Sequence, residues 1–582
     1  MSTSNMTREL VTIQVGHFAN FVGTHWWNLQ ESSFVYDSTT PTDINHDFLF
    51  RDGRTSLRQE TYTPRVLCID VQGSLHTLPA LGTLYSPLHS QPSTSEASWE
   101  GPIQIIHQLT QEKNQYLMDL EEEEKRYNSQ PTDEDKDICV DDLNISTKGE
   151  DNTTSSTEKI YDLSKSVRVW SDFLRPHLHP NSIYLLNSLH VYGGRGLAGE
   201  GEGDLWGFPS GTKIFQREDV EEEITDRIRL LAESCNSLQG FQLLSDVHNG
   251  MGGVSSGILQ HFADDYGSKD TITFAITPPH LSPATTQTRL LTQAAILQSY
   301  AELSQLSSVL VPLCLRKSIC DLTAPVVSFP NLLYQEDNAY LSSSILGAFL
   351  ETASTVYRTR TDPLPLAALT HLLTPTGRKV AGAGIVLPYK GLNEDSESER
   401  VECGDRKGMC GGGEREMWRG LVPLSAGACL THNPISEVQV VRGNSSTKSS
   451  WEENKSPLER CSVRAVDPLK TTPPFPAIFT KLIPTTFNLD PSRRKTKPVR
   501  VVDERVRSVS SVGVIQQCPS LCQMLQPALT VAQGLDVTKV TLLQEEGLDK
   551  DAWCGVVEGL QKLLLAYDTT SNQEMECSDD DD

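Results

Sequence analysis

Residues 11–30, VTIQVGHFANFVGTHWWNLQ, set an alternating apolar stretch against a glycine turn and an aromatic helix start. Val11, Ile13 and Val15 alternate with Thr12 and Gln14 at the two-residue period of a strand. Gly16 then permits a sharp turn into a helix that runs past Gly23 to Trp26, Trp27 and Leu29. A nucleotide-binding α/β domain opens in that order, because a helix N-terminus points free N–H groups into the crevice above the strand and attracts an anion. The loop 16–23 therefore decides whether a phosphate fits.

Further along the chain the same grammar repeats. Val220, Ile224, Ile228 and Leu231 recur at helical spacing, residues 241–247 read as a buried strand, and Ile258, Leu259, Phe262 and Tyr266 give the next helix an apolar face. Residues 271–277, TITFAIT, alternate as the following strand. Strand, loop, helix and strand make a right-handed βαβ unit with parallel strands, whose ligand crevice lies at the strand C-termini. His17, Asp70, His248 and Asn249 are expected to converge there. Two histidines invite a metal or acid–base reading, but no third ligand is identifiable, and loop residues filling former phosphate space are the simpler account. Residues 290–311 are predicted as a helix, and Trp553, Val556, Leu560, Leu564 and Tyr567 form one C-terminal helical stripe.

Three windows carry a family resemblance. Residues 11–30 resemble the first strand, loop and helix of tubulins. Residues 62–73, YTPRVLCIDVQG, resemble the second tubulin strand and its acidic loop. Residues 232–257, AESCNSLQGFQLLSDVHNGMGGVSSG, resemble the tubulin helix, strand and glycine-rich phosphate loop. With Trp26-Trp27, most of the chain resembles the Misato family, tubulin-related proteins tied to mitochondrial distribution and morphology. The resemblance implies an α/β, tubulin-like GTPase-superfamily fold with a Rossmann-like parallel sheet, followed by a smaller α/β domain and C-terminal helices. It also implies a degenerate nucleotide pocket at Gly16, Asn20, Asp70, Gly250 and Gly252.

The residues depart from the tubulin pattern where phosphate chemistry needs it. His17, Phe18 and Ala19 replace a small polar loop, Met251 replaces a hydroxyl, and Val254 crowds a loop whose N–H groups form an anion nest only when nothing obstructs them. Gln72 stands where tubulins carry a glutamate near magnesium, and a neutral amide is a poor ligand for a hard cation. A glycine-rich loop with Trp206 (Gly194, Gly196) is either a remnant of the loop that closes over the phosphates or a plain surface loop. Residues 361–373, TDPLPLAALTHLL, lack the Asn and acid pattern with which one tubulin completes the GTPase site of the next. No catalytic residue, metal site or cofactor is therefore expected, and an active GTP-binding, assembling switch is the alternative.

The chain has 582 residues, a net charge of −26 and 13 scattered cysteines. The charge argues against nucleic acid and against simple docking on anionic lipid. No cysteine spacing makes a paired zinc frame, and free thiols in a reducing compartment are the expectation for Cys403 and Cys410 and for Cys518 and Cys522. The N-terminal residues lack the Arg-rich, amphipathic pattern of a mitochondrial presequence and the core of a signal peptide, so neither is expected, and no apolar run approaches bilayer length. The resemblance thus implies work in the cytoplasm and on the cytosolic face of the mitochondrial outer membrane, with proteins of that membrane as partners and the cytosolic chaperonin as a folding partner. The expected organisation is a nucleotide-binding-type domain at 1–90 and 160–280, an acidic, largely disordered insertion at 91–159 (helical around 103–120), a second α/β domain at 281–392, a mobile insertion at 393–460, a helical region at 461–570 and an acidic tail at 571–582. That tail, ending Ser578 and four aspartates, is read either as a docking element or as a solubilising end.

Overall fold

Strand β1 (Glu9–Val15) is buried along its whole length, and helix α1 (His17–Ser32) is buried from Phe18 to Gln30. A helix buried all round, with Asn20, Thr24, His25, Asn28 and Gln30 as well as its apolar residues, needs cover on every side. The computed structural model, which describes residues 8–35, 42–55, 60–85, 112–128, 161–190, 207–281, 285–388, 420–428, 430–431, 434–443, 459–465, 467–483, 499–502, 506–545 and 547–567, shows how. A hairpin of β2 (Phe50–Arg54) and β3 (Glu60–Pro64) leads into β4 (Val66–Gln72). After α2 (Gln115–Asn128) come β5 (Ile183–His190), α3 (Phe208–Phe215), α4 (Glu218–Glu233), β6 (Leu238–Asp246), α5 (Met251–Asp265), β7 (Asp270–Thr277), α6 (Thr286–Leu306) and β8 (Val309–Cys314).

Six of these strands form one parallel sheet in the order β5-β4-β1-β6-β7-β8. Both faces are covered, so β8 (VLVPLC) reads as an unbroken apolar run, while the polar Thr12, Gln14 and Gln242 of β1 and β6 are buried with their strands. One face packs on α1 and on α7 (Ala339–Arg358), and the other on α4, α5 and α6. Trp26 and Trp27 lie in the first core with ring centroids 4.6 Å apart and planes tilted by 30°, each 1 % exposed. The connections reverse direction between β1 and β6, and there a doubly wound sheet opens its ligand crevice. The expected parallel, Rossmann-like α/β fold is what the chain adopts.

Beyond α7 and α8 (Leu366–Leu373), a second, mixed sheet runs β10-β9-β13-β11-β12. Its strands are β9 (Gly382–Val386), β10 (Val422–Pro423), β11 (Ser436–Arg442), β12 (Glu459–Ala465) and β13 (Ser511–Gln517). Helices α9 (Cys522–Gly534) and α10 (Lys550–Leu565) close the chain against α6. The two sheets are tied by a buried triad. Glu351 of α7 pairs with Arg358 at 2.7 Å and with Arg442 of β11 at 2.8 Å, while Arg358 donates to Gln30 of α1 at 3.0 Å.

Four expectations change. The helix predicted over 290–311 ends at Leu306, and Val309 already belongs to β8. The stretch 393–460, expected to be a mobile insertion, contributes β11, which lies between β12 and β13 inside the second sheet. The region 461–570, expected to be helical, begins with strands that complete that sheet. The acidic run read as unfolded is helical where it is described, Glu121–Glu124 lying in α2. Buried Tyr116 and Asp119 anchor that helix, the latter accepting from Tyr161 Oη at 2.8 Å, and exposed pairs such as Glu122 with Arg126 dilute its charge. The rest of the acidic insertion, the glycine-rich loop through Trp206, Cys403, Cys410 and the tail lie outside the described residues. Among the described residues no helix is long and apolar enough to cross a membrane.

Candidate functional site

The crevice between β1 and β6 begins at Gly16, whose φ of 112° is a conformation that side-chain-bearing residues rarely adopt. A Cβ on Gly16 would also fall 2.4 Å from Asp246 Oδ2. That contact discloses what occupies the site. Asp246, the last residue of β6, accepts the Phe18 N–H on Oδ2 and the Ala19 N–H on Oδ1, each at 2.9 Å. These are the first free amides of α1, the groups that would hold a phosphate. The chain's own carboxylate has taken the anion position.

Asp70, at the end of β4, is equally committed. Its Oδ2 accepts from Trp170 Nε1 at 2.9 Å and Asn20 Nδ2 at 3.2 Å and lies 3.1 Å from His17 Nδ1, while Oδ1 accepts the Val71 N–H at 2.8 Å. With those bonds made and 1 % of its surface exposed, it has little left to offer a hydrated cation. Burial pushes the Asp246 carboxyl up to about 8 against the opposing Phe18 N–H bond. Burial alone would lower His17, but the charge and hydrogen bond of Asp70 outweigh it and hold the imidazole above its ordinary value. Both shifts favour the protonated forms of Asp246 and His17.

The glycine loop is closed from above. Helix α3 lies on the start of α5 so tightly that a Cβ on Gly211 would fall 1.6 Å from the Gly250 carbonyl oxygen, and one on Gly253 would fall 2.1 Å from the Phe208 carbonyl oxygen. The loop amides are used internally. Met251 N–H donates to Asn249 Oδ1 at 2.9 Å, Gly252 N–H to Asn249 O at 3.2 Å and Gly253 N–H to Gly250 O at 2.9 Å. Met251 itself is fully buried in the α4–α5–α6 core. Glycines that suit a phosphate nest here serve close helix packing instead.

Of the sequence-predicted residues, the structure joins Gly16, His17, Asn20 and Asp70 in one network. Gly250 and Gly252 lie under α3, and His248 contacts Asn249 at 3.3 Å in a separate group. The expected convergence of both histidines therefore divides in two. Phe18 contributes its backbone N–H, while its ring, 5 % exposed, belongs to the α1–α7 core. Sequence reasoning missed Asp246 and Trp170. The signal for Asp246 was an acid closing the apolar run FQLLS; Trp170 carried none, being 100 positions from Asp70. Residues 361–373 lie at the other end of the sheet, where Leu366 N–H donates to Gln239 at the start of β6.

Residues 8–122 match the family described as the Misato Segment II tubulin-like domain, and residues 161–358 match the tubulin domain. The chain is 28 % identical over 613 residues to protein misato homolog 1 of Danio rerio, covering 100 % of both chains. It is 29 % identical over 586 residues to protein misato homolog 1 of Bos taurus, covering 96 % of this chain and 98 % of the relative. The chain belongs to the Misato family. Protein misato of Drosophila melanogaster is 30 % identical over 402 residues, 67 % of this chain and 66 % of the relative. In this Misato-family chain, then, the tubulin-like domain carries a six-stranded parallel sheet while Asp246, Asp70 and α3 fill the place above it.

Proposed function

We propose that this Misato-family chain is a non-catalytic, tubulin-fold interaction protein, not a GTPase. One observation carries the reading: the α1 amides that would receive a phosphate already bind Asp246 at 2.9 Å. Displacing that carboxyl group would leave it buried without its two donors, and a buried polar group stripped of its hydrogen bonds is costly. The resemblance to the Misato family supports the cellular part of the reading, in which the chain works from the cytoplasm and the cytosolic face of the mitochondrial outer membrane. There it would regulate mitochondrial distribution, morphology, fusion and network formation through protein partners. The net charge of −26 favours a protein receptor over an anionic lipid surface.

Two experiments test it. GTP turnover by the purified chain, followed over a range of protein concentrations, is expected to stay at background, and turnover that rises per chain with concentration would restore the assembling GTPase. Imaging of the tagged chain should place it on mitochondria, with deletion of 571–582 reducing the association if the tail is the docking element. A purely cytoplasmic distribution of the intact chain would overturn the cellular assignment.

A further inference from the structure

Arg316 stands two residues beyond β8, at the C-terminal end of the sheet, and is 1 % exposed. None of its guanidinium nitrogens, Nε, Nη1 or Nη2, has a hydrogen-bond partner among the described residues. Glu351 shows how this fold treats a buried arginine, pairing both Arg358 and Arg442. Asp321, an acid that feels the Arg316 charge, is exposed and accepts instead from Thr323 at 2.7 Å. A buried guanidinium without a counter-charge is strongly unfavourable.

The surroundings are made of further donors. His248 Nδ1, Thr277 Oγ1 and Tyr300 Oη are also buried without partners. The fold gathers them: Thr277 pairs with Cys314 in the sheet register, the Arg316 N–H donates to Cys314 Sγ at 3.4 Å, and the Arg316 charge reaches both His248 and Tyr300. Ser299 of α6, the neighbour of Tyr300, donates to Val247 O at 3.2 Å, which holds this turn of α6 against the residue that precedes His248. The tautomer of His248 follows from its neighbour. Asn249 Oδ1 accepts the Met251 N–H, so its Nδ2 faces His248 Nε2, which must accept, leaving the proton on Nδ1. Burial, with the Arg316 charge adding to it, lowers His248 to about 3, so this neutral form persists. Burial likewise holds the Tyr300 phenol above its ordinary value, protonated.

We propose that Arg316, His248, Thr277 and Tyr300 form an internal binding site for a small inorganic anion, phosphate or chloride, in place of a carboxylate counter-charge. A water molecule must donate two protons of its own, whereas several unpartnered donors within reach of one fixed positive charge ask for a ligand that only accepts. The site is separate from the Asp70–Asp246 network and does not depend on whether the crevice takes a nucleotide.

The test uses the full chain, exchanged into gluconate buffer. Ion chromatography of acid-denatured protein reads any anion that stays bound, and calorimetric titration with sodium phosphate or sodium chloride at constant ionic strength reads one that exchanges. Equimolar phosphate or chloride, retained or titrated, supports the site and identifies the ion. Tyr300→Phe removes one donor with little change of shape and should weaken binding about tenfold, and Arg316→Met should abolish it. If Arg316→Met fails to fold, Tyr300→Phe alone decides. Absence of both ions by both readouts, or binding that Tyr300→Phe leaves unchanged, overturns the proposal.

Discussion

A single carboxylate, Asp246, decides what the crevice can accept. Asp246→Asn keeps the shape but turns one oxygen into a donor facing the amides of α1, so one bond is lost and a donor is left opposing a donor. The expected cost is about 1–3 kcal/mol, read from urea melts at pH 7. The pH dependence follows from the same cluster. Asp246 is raised by burial to about 8 and His17 is raised above 6.5, chiefly by Asp70, so the folded chain holds protons that the unfolded chain has released. The contribution of this cluster to stability should therefore be greatest in acid and fall as pH rises, from 3.8 upward for Asp246 and from 6.5 upward for His17, until each folded group has released its proton, Asp246 at about 8. Melting temperatures across pH 6 to 9 should decline more steeply for the parent than for Asp246→Asn, and parallel curves would contradict the assignment. Residue-level legibility was partial. The departures at His17, Phe18, Met251 and Gln72 were visible in the sequence and foretold a poor phosphate site. The filling group was not visible, because the Asp246 contact spans 228 positions and depends on the backbone of Gly16.

Helix α3 converts the glycine loop from a ligand cradle into a packing surface. Gly211→Ala must push α3 away from the Gly250 carbonyl and is expected to destabilise by about 1–3 kcal/mol. Gly555→Ala is the matched control, since an added Cβ in α10 meets nothing within 4 Å. That exposed helix position should gain about 0.5–1 kcal/mol, and denaturant midpoints for the two variants should move in opposite directions. Elements with a clean period were legible: the strands at 241–247 and 271–277 and the helix at 218–232 fall where the spacing put them. Strand β11, SEVQVVR, was not, because glycine, serine and charge on either side dominate the composition of 393–460, while its apolar positions gain meaning only against β12 and β13. The end of α6 was misplaced for a related reason. Its apolar residues run on through Ser307 and Ser308 into β8, and period alone does not separate a buried helix from a buried strand.

At the scale of the molecule, the Glu351 triad joins α1, α7 and β11 and so couples the two sheets. Arg442→Met leaves Glu351 with one cation instead of two inside the core and should cost about 3–5 kcal/mol. Glu351→Gln combined with Arg442→Met should cost less than the sum of the single changes, as double-mutant cycles on the melts will show. The parallel pairing of β6 with β7 was legible because the strand–loop–helix–strand unit carries its own handedness, whereas the mixed second sheet draws strands from segments separated by more than a hundred residues. The account as a whole holds that a tubulin-like cradle has kept its strand order while the chain's own groups fill it. A crystal structure of the chain grown with GTP and magnesium tests this most directly. The account predicts Asp246 still bonded to the Phe18 and Ala19 amides with no nucleotide above them; phosphates seated on those amides, with Asp246 turned away and α3 lifted from Gly250, would contradict it.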